Sequence, residues 1–153
     1  MNPEFLRRVR LFEDLEVSEL ADLLMLGMVK EYSQEEVVFE EGAPGESFYV
    51  IYDGSVRISR MFHNVGEEAL TVLGAGEFFG EMSFFDDSPR SARAVAQASA
   101  KLLEIRNEDL KAHLKSRPDV ALKFLFAFAR TLSQRVRDTN EKFTTLFAIS
   151  RVF

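Results

Sequence analysis

Between Gly80 and Ala92 the chain reads Gly-Glu-Met-Ser-Phe-Phe-Asp-Asp-Ser-Pro-Arg-Ser-Ala, and several of these residue types have chemistry to offer. Gly80, at the end of a strand, lets a ligand approach the backbone closely. Glu81, Met82 and Ser83 fall where a short helix begins. Free N–H groups at such an end, with the helix dipole behind them, attract an anion. Arg90, which follows Pro89 nine residues past Glu81, brings a guanidinium whose fork matches two phosphate oxygens. Ser91 and Ala92 are small, so their amides can reach the same anion. One carboxylate, one arginine and several amides suit a ribose carrying a single negative phosphate. The same spacing also suits a surface ion pair between Glu81 and Arg90, which contributes little. Spacing alone does not separate the two readings.

The elements that would position this segment form three stretches. Residues 3–26 read as two short helices separated near 13–17, with Leu20, Leu23 and Leu24 at helical spacing and Ser18 as an N-cap. From residue 28 to about 106 the texture changes to short strands punctuated by glycine. They are 37–39, 48–52, 55–59, 69–73, 77–80, 92–96 and 101–105, with Asp53-Gly54 as a hairpin turn. Many short strands with frequent glycine turns predict an antiparallel β-barrel of the jelly-roll kind. Asn107 is expected to cap a short helix over 108–114. Ser116 and Pro118 then open a long helix that reaches about residue 149. The predicted fold class is α+β in one domain over 1–153: N-terminal helices in 1–27, the barrel in 28–106 with its site at 80–92, and C-terminal helices in 107–150.

The 80–92 segment closely resembles the phosphate-binding cassette of cyclic nucleotide-binding domains, as in protein kinase A regulatory subunits and the catabolite activator protein family. The family pattern of Phe-Gly-Glu, a short helix, and Arg-Ser/Ala/Thr-Ala before a strand reads here as Phe79-Gly80-Glu81 and Arg90-Ser91-Ala92. Gly42, Gly45 and Gly54 sit at the family's turn positions, so the resemblance covers nearly the whole chain. It implies a regulatory domain whose ligand is cAMP, with cGMP as the second candidate. Arg90 would bind the cyclic phosphate and Glu81 would accept from the ribose 2′-hydroxyl. The Met82 and Ala92 amides would complete the cradle, with Ser91 beside the phosphate or base. Val72, Phe78 and Phe79 are expected along the pocket or in the core beneath it. Two departures stand out. Arg93 follows the cassette where the family often carries an uncharged residue, and strand alternation turns it toward solvent. Arg135 and Val136 fall where the regulator branch places small hydroxyl residues against adenine, which puts Arg135 in the site and implies a different contact to the base.

Along the long helix, Leu122, Leu125, Ala129, Leu132, Val136, Thr139, Phe143 and Leu146 form a heptad seam. It predicts a homodimer through 118–149, with the first turns packed on the barrel and some of Phe124, Phe126 and Phe128 covering its mouth. The chain has no Cys, which removes disulfides, thiolate nucleophiles and cysteine-held metals. A net charge of −6 argues against tight nucleic-acid binding, and no helix-turn-helix pattern follows the seam, so no DNA contact is expected. Neither a secretory signal nor a stretch of about 18 apolar residues is present, which points to a cytoplasmic protein with no membrane partner. The acidic pairs Asp86-Asp87 and Glu67-Glu68 lie in turns without a nucleophile or base beside them, so no enzyme is predicted. The alternatives are a scaffold that keeps the fold without a nucleotide, or a haem or other small-molecule sensor using His63 or His113. The downstream partner is unknown.

Overall fold

The computed structural model describes residues 2–152. At the N-terminus a single helical turn, α1 (Pro3–Leu6), and a 3-10 turn (Arg10–Phe12) precede α2 (Val17–Leu26). The N-cap of α2 is Glu16 rather than Ser18. The Glu16 backbone N–H donates to the Glu19 carboxylate at 2.8 Å, while the Glu16 side chain takes the Glu19 N–H, a reciprocal capping box. Ser18 lies inside the helix.

Six strands follow: β1 (Gly27–Tyr32), β2 (Val37–Phe39), β3 (Ser47–Phe62), β4 (Gly66–Gly74), β5 (Phe78–Phe79) and β6 (Arg93–Arg106). All pair antiparallel in the order β1-β6-β3-β4, with β2 on β6 and β5 on β3. Among the described residues no ladder joins β4 to β1, so the jelly-roll sheet is open rather than closed.

Asp53-Gly54 is not a hairpin turn. The expected strands 48–52 and 55–59 are one strand, as are 92–96 and 101–105. Both long strands shift register where Gly54 crosses Ser99. Gly54 has φ +80°, and a Cβ there would lie 2.1 Å from the Ser99 carbonyl oxygen, so only glycine lets the sheet fold over at this point. The chain reverses instead at 63–65, joining β3 to β4.

A short helix, α3 (Glu81–Asp86), interrupts the sheet, and α4 (Asn107–Ser116) and α5 (Pro118–Ser150) complete the chain. Neither expected cap acts as one. Asn107 donates from Nδ2 to the Gly45 carbonyl at 2.8 Å, fastening the 42–45 turn, and the Ser116 hydroxyl donates back to the His113 carbonyl. Arg106 and Arg117 occupy the cap positions.

The core has two parts. One fills the sheet interior around Tyr49, Ile51, Phe79 and Leu102. The other lies between sheet and helices, where Phe12, Phe48, Phe84 and Phe124 meet. The first turns of α5 do pack on the body, but through Val120, Phe124, Ala127 and Phe128. The seam residues Leu122 and Leu125 and the off-seam Phe126 are exposed instead, because the buried face runs along a neighbouring helical stripe. Glu19, buried on α2, pairs with Lys123 at 2.9 Å and locks α2 to α5. Among the described residues no helix is long and apolar enough to cross a membrane.

Candidate ligand-binding site

β5 ends at Phe79, whose ring stacks on Tyr49 of the neighbouring strand with centroids 5.0 Å apart. Gly80 then turns the chain into α3 with φ +81°. A Cβ on Gly80 would lie 2.9 Å from Arg90 Nη1 and 3.0 Å from the Ser47 carbonyl, so glycine is what makes room for the guanidinium. Gly45 performs the same service for Ser83, whose Oγ would sit 2.1 Å from an added Cβ. The 42–45 turn grips Arg90 through its backbone: Gly42 N donates to Arg90 O at 2.8 Å, and Arg90 N donates to Ala43 O at 2.9 Å.

These pieces enclose a cavity of about 410 Å³. Its lining includes Gly80, Glu81, Met82, Ser83, Arg90, Ser91 and Ala92, joined by Phe78, Phe79 and Arg135. Phe78 and Phe79 are also buried core residues, so they serve both purposes. Two expected positions are corrected. Pro89 is exposed and outside the lining, where it precedes Arg90 in the turn. Val72 is 51% exposed and faces away from the cavity, and its neighbours Thr71 and Leu73 line it instead. A register shift between Ile58 and Ser59 sets which face each residue of β4 takes, and a one-residue slip exchanges the two faces. Arg93 stays outside, paired with Glu40 at 3.0 Å and Glu67 at 2.9 Å on the outer surface.

Arg90 carries the electrostatics. It is 5% exposed, with its guanidinium carbon 4.1 Å from the Phe39 ring centroid. Nη2 donates to the Ser47 carbonyl at 2.7 Å and Nη1 to the Gly80 carbonyl at 3.3 Å. Nε is buried and has no partner among the described residues. No carboxylate pairs with it among the described residues, and burial pulls its pKa below the ordinary value. A buried charge held by carbonyls and aromatic rings with no carboxylate counter-ion is costly, and an arriving anion would offset that cost. Among the described residues, the turn and cap hydrogen bonds use none of the Met82, Ser91 and Ala92 amides.

Glu81 does not pair with Arg90. Its carboxylate is bound by Arg135 of α5, which also donates from Nη2 to the Phe78 carbonyl at 3.2 Å. Arg135 thus enters the site, but through protein contacts. The sequence reading missed Asp138, Thr139 and Lys142, which line the cavity from the same face of α5. A small hydroxyl residue is therefore present on the long helix, at Thr139. Spacing of i, i+3, i+4 and i+7 from Arg135 is the signal that reveals them. Neither His63 nor His113 is part of the lining.

The cyclic nucleotide-binding domain model matches residues 29–117. A CRP-like cAMP-activated global transcriptional regulator of Mycobacterium tuberculosis is 31% identical over 143 residues, 94% of this chain and 62% of the relative. The cyclic AMP receptor protein of Thermus thermophilus is 36% identical over 81% of this chain and 57% of its own length. Among solved structures, the N-terminal domain of a transcriptional regulator from Streptomyces coelicolor A3(2) superposes with a TM-score of 0.76 at 36% identity, covering 90% of this chain and 95% of that one. The chain belongs to the cyclic nucleotide-binding domain family. It spans about three fifths of the length of these two curated relatives.

Proposed function

We propose that this chain is a regulatory domain, not an enzyme, that binds cAMP in the cavity between α3, Arg90 and α5. The observation that carries this reading is the isolated Arg90 guanidinium, buried with an unpartnered Nε and no carboxylate against it. The cyclic phosphate takes Arg90 and the amides of Met82, Ser91 and Ala92. Glu81 accepts from the ribose 2′-hydroxyl, exchanging its contact with Arg135. The base extends toward α5, where Thr139, Asp138 and Lys142 lie. Ser91 is compatible with cGMP as a second ligand.

The signal leaves through α3. Phe84 meets Phe124 edge-on at 6.0 Å, and Phe85 stacks on Phe128 at 4.1 Å, so a shift of α3 is felt by α5. A ligand shifts such an equilibrium only by its unequal affinity for the two states, and the exchange at Glu81 supplies that difference. The outer part of α5 exposes Val136, Phe143, Leu146 and Phe147. An apolar stripe of this extent marks an interface, here with a second copy of the chain. The wild type is expected to sediment as a dimer and Val136→Glu/Phe143→Glu as a monomer. An unchanged dimer in the double variant would refute the helix interface.

The ribose contact has its own test. Wild-type protein should bind 2′-deoxy-cAMP about 10-fold more weakly than cAMP, the loss of one hydrogen bond to a charged acceptor. Glu81→Ala should weaken cAMP binding similarly and no longer distinguish the two nucleotides. Continued discrimination by the variant in competition binding would show that Glu81 does not read the hydroxyl.

A further inference from the structure

Ser47 and Tyr49 are alternate residues of β3 and face the same side. Both form the wall behind Arg90: the Ser47 carbonyl accepts from Nη2, and the Tyr49 ring centroid lies 5.7 Å from the guanidinium carbon. Glu104 of β6 stands opposite Tyr49 in the ladder. The Tyr49 hydroxyl donates to Glu104 Oε1 at 3.2 Å, and Lys30 of β1 pairs with the other carboxylate oxygen. Three strands thus place a chain of groups, Lys30 to Glu104 to Tyr49, from the outer surface to the back of Arg90. Burial pushes the Glu104 carboxyl up, but Lys30, with Ser47 and Tyr49, outweighs it and keeps the group ionised. Burial and the Glu104 charge raise the Tyr49 phenol above its ordinary value, so it remains a neutral donor.

Taking the cavity as the nucleotide site, we propose that Glu104, held between Tyr49 and Lys30, is a positioning residue that sets how strongly Arg90 attracts the ligand's phosphate. Glu104 is a negative charge one tyrosine ring behind the arginine and opposes an incoming anion. Lys30 cancels that opposition from the surface side, where its side chain is 46% exposed. The two charges therefore act on affinity with opposite signs, and their sum is close to zero.

The test is a charge cycle on the full chain, read by cAMP affinity and by the Arg90 Nε–H resonance in nucleotide-free protein. Glu104→Gln, which keeps an acceptor for Tyr49, should tighten cAMP binding about three- to tenfold, and Lys30→Met should loosen it by a similar factor. The double variant should return to within about twofold of wild type. The Arg90 resonance should move in Glu104→Gln but not in Glu31→Gln, a control whose carboxylate pairs with Lys101 instead. A merely structural role would weaken binding in both single variants, and that result overturns the proposal, as does an unmoved Arg90 resonance. A shifted resonance in protein that binds no cyclic nucleotide would uphold the coupling and refute the nucleotide reading instead.

Discussion

Arg90→Leu is expected to reduce affinity for cAMP by at least about 100-fold while the protein stays folded. The phosphate would lose its one buried cation, and breaking a buried charge pair from one side costs about 3–5 kcal/mol. Since each 1.4 kcal/mol is about tenfold, the loss exceeds two orders of magnitude. Stability should respond differently. Without ligand Arg90 is a buried charge with an unpartnered Nε, so its removal relieves desolvation even as the Ser47 and Gly80 carbonyls lose their donor. The melting temperature without ligand should stay within about 5 °C of wild type, because these two effects oppose each other. The rise on adding cAMP, which measures ligand linkage, should vanish. Titration calorimetry and thermal melts with and without cAMP check both halves. Retained affinity in the variant would remove Arg90 from the site.

The second large effect concerns Phe124, which is fully buried between the 3-10 turn and α3. Its ring lies 6.2 Å from Phe12 and 6.0 Å from Phe84. Phe124→Ala leaves a cavity where the N-terminal turn, the cassette helix and α5 converge. Large-to-small changes of this kind cost about 3–5 kcal/mol. For a domain of this size that lowers the melting temperature by roughly 10 °C. The variant should also bind ligand with less effect on α5, because one of two aromatic contacts between α3 and α5 is gone. A thermal melt within about 2 °C of wild type would show that this junction does not carry the core, since so small a shift is below about 1 kcal/mol.

Much of this was legible because local chemistry and global fold agree. The glycines at 42, 45 and 80 mark backbone that must turn or admit a neighbour, and the Phe-Gly-Glu and Arg-Ser-Ala runs fix the cassette between them. What escaped the sequence has physical reasons. Asp53-Gly54 has the composition of a hairpin turn, yet the same positive φ also serves a bulge, and only the close pass of Ser99 decides between them. Val72 and Thr71 exchange faces because a strand's orientation depends on its register, which distant pairing sets. Asn107 and Ser116 look like caps, but Asn107 found a better partner at Gly45. Thr139 was legible only as a seam residue, since a helix stripe does not say which side meets a cavity. The isolation of Arg90 was beyond sequence altogether. It depends on burial and on Arg135, from 54 residues away, occupying Glu81.

Titration calorimetry of cAMP into folded, nucleotide-free protein tests the central claim most directly. The predicted result is saturable binding at one site per chain. No saturable heat with either cAMP or cGMP at several temperatures would contradict the account and leave the long helix as the functional surface.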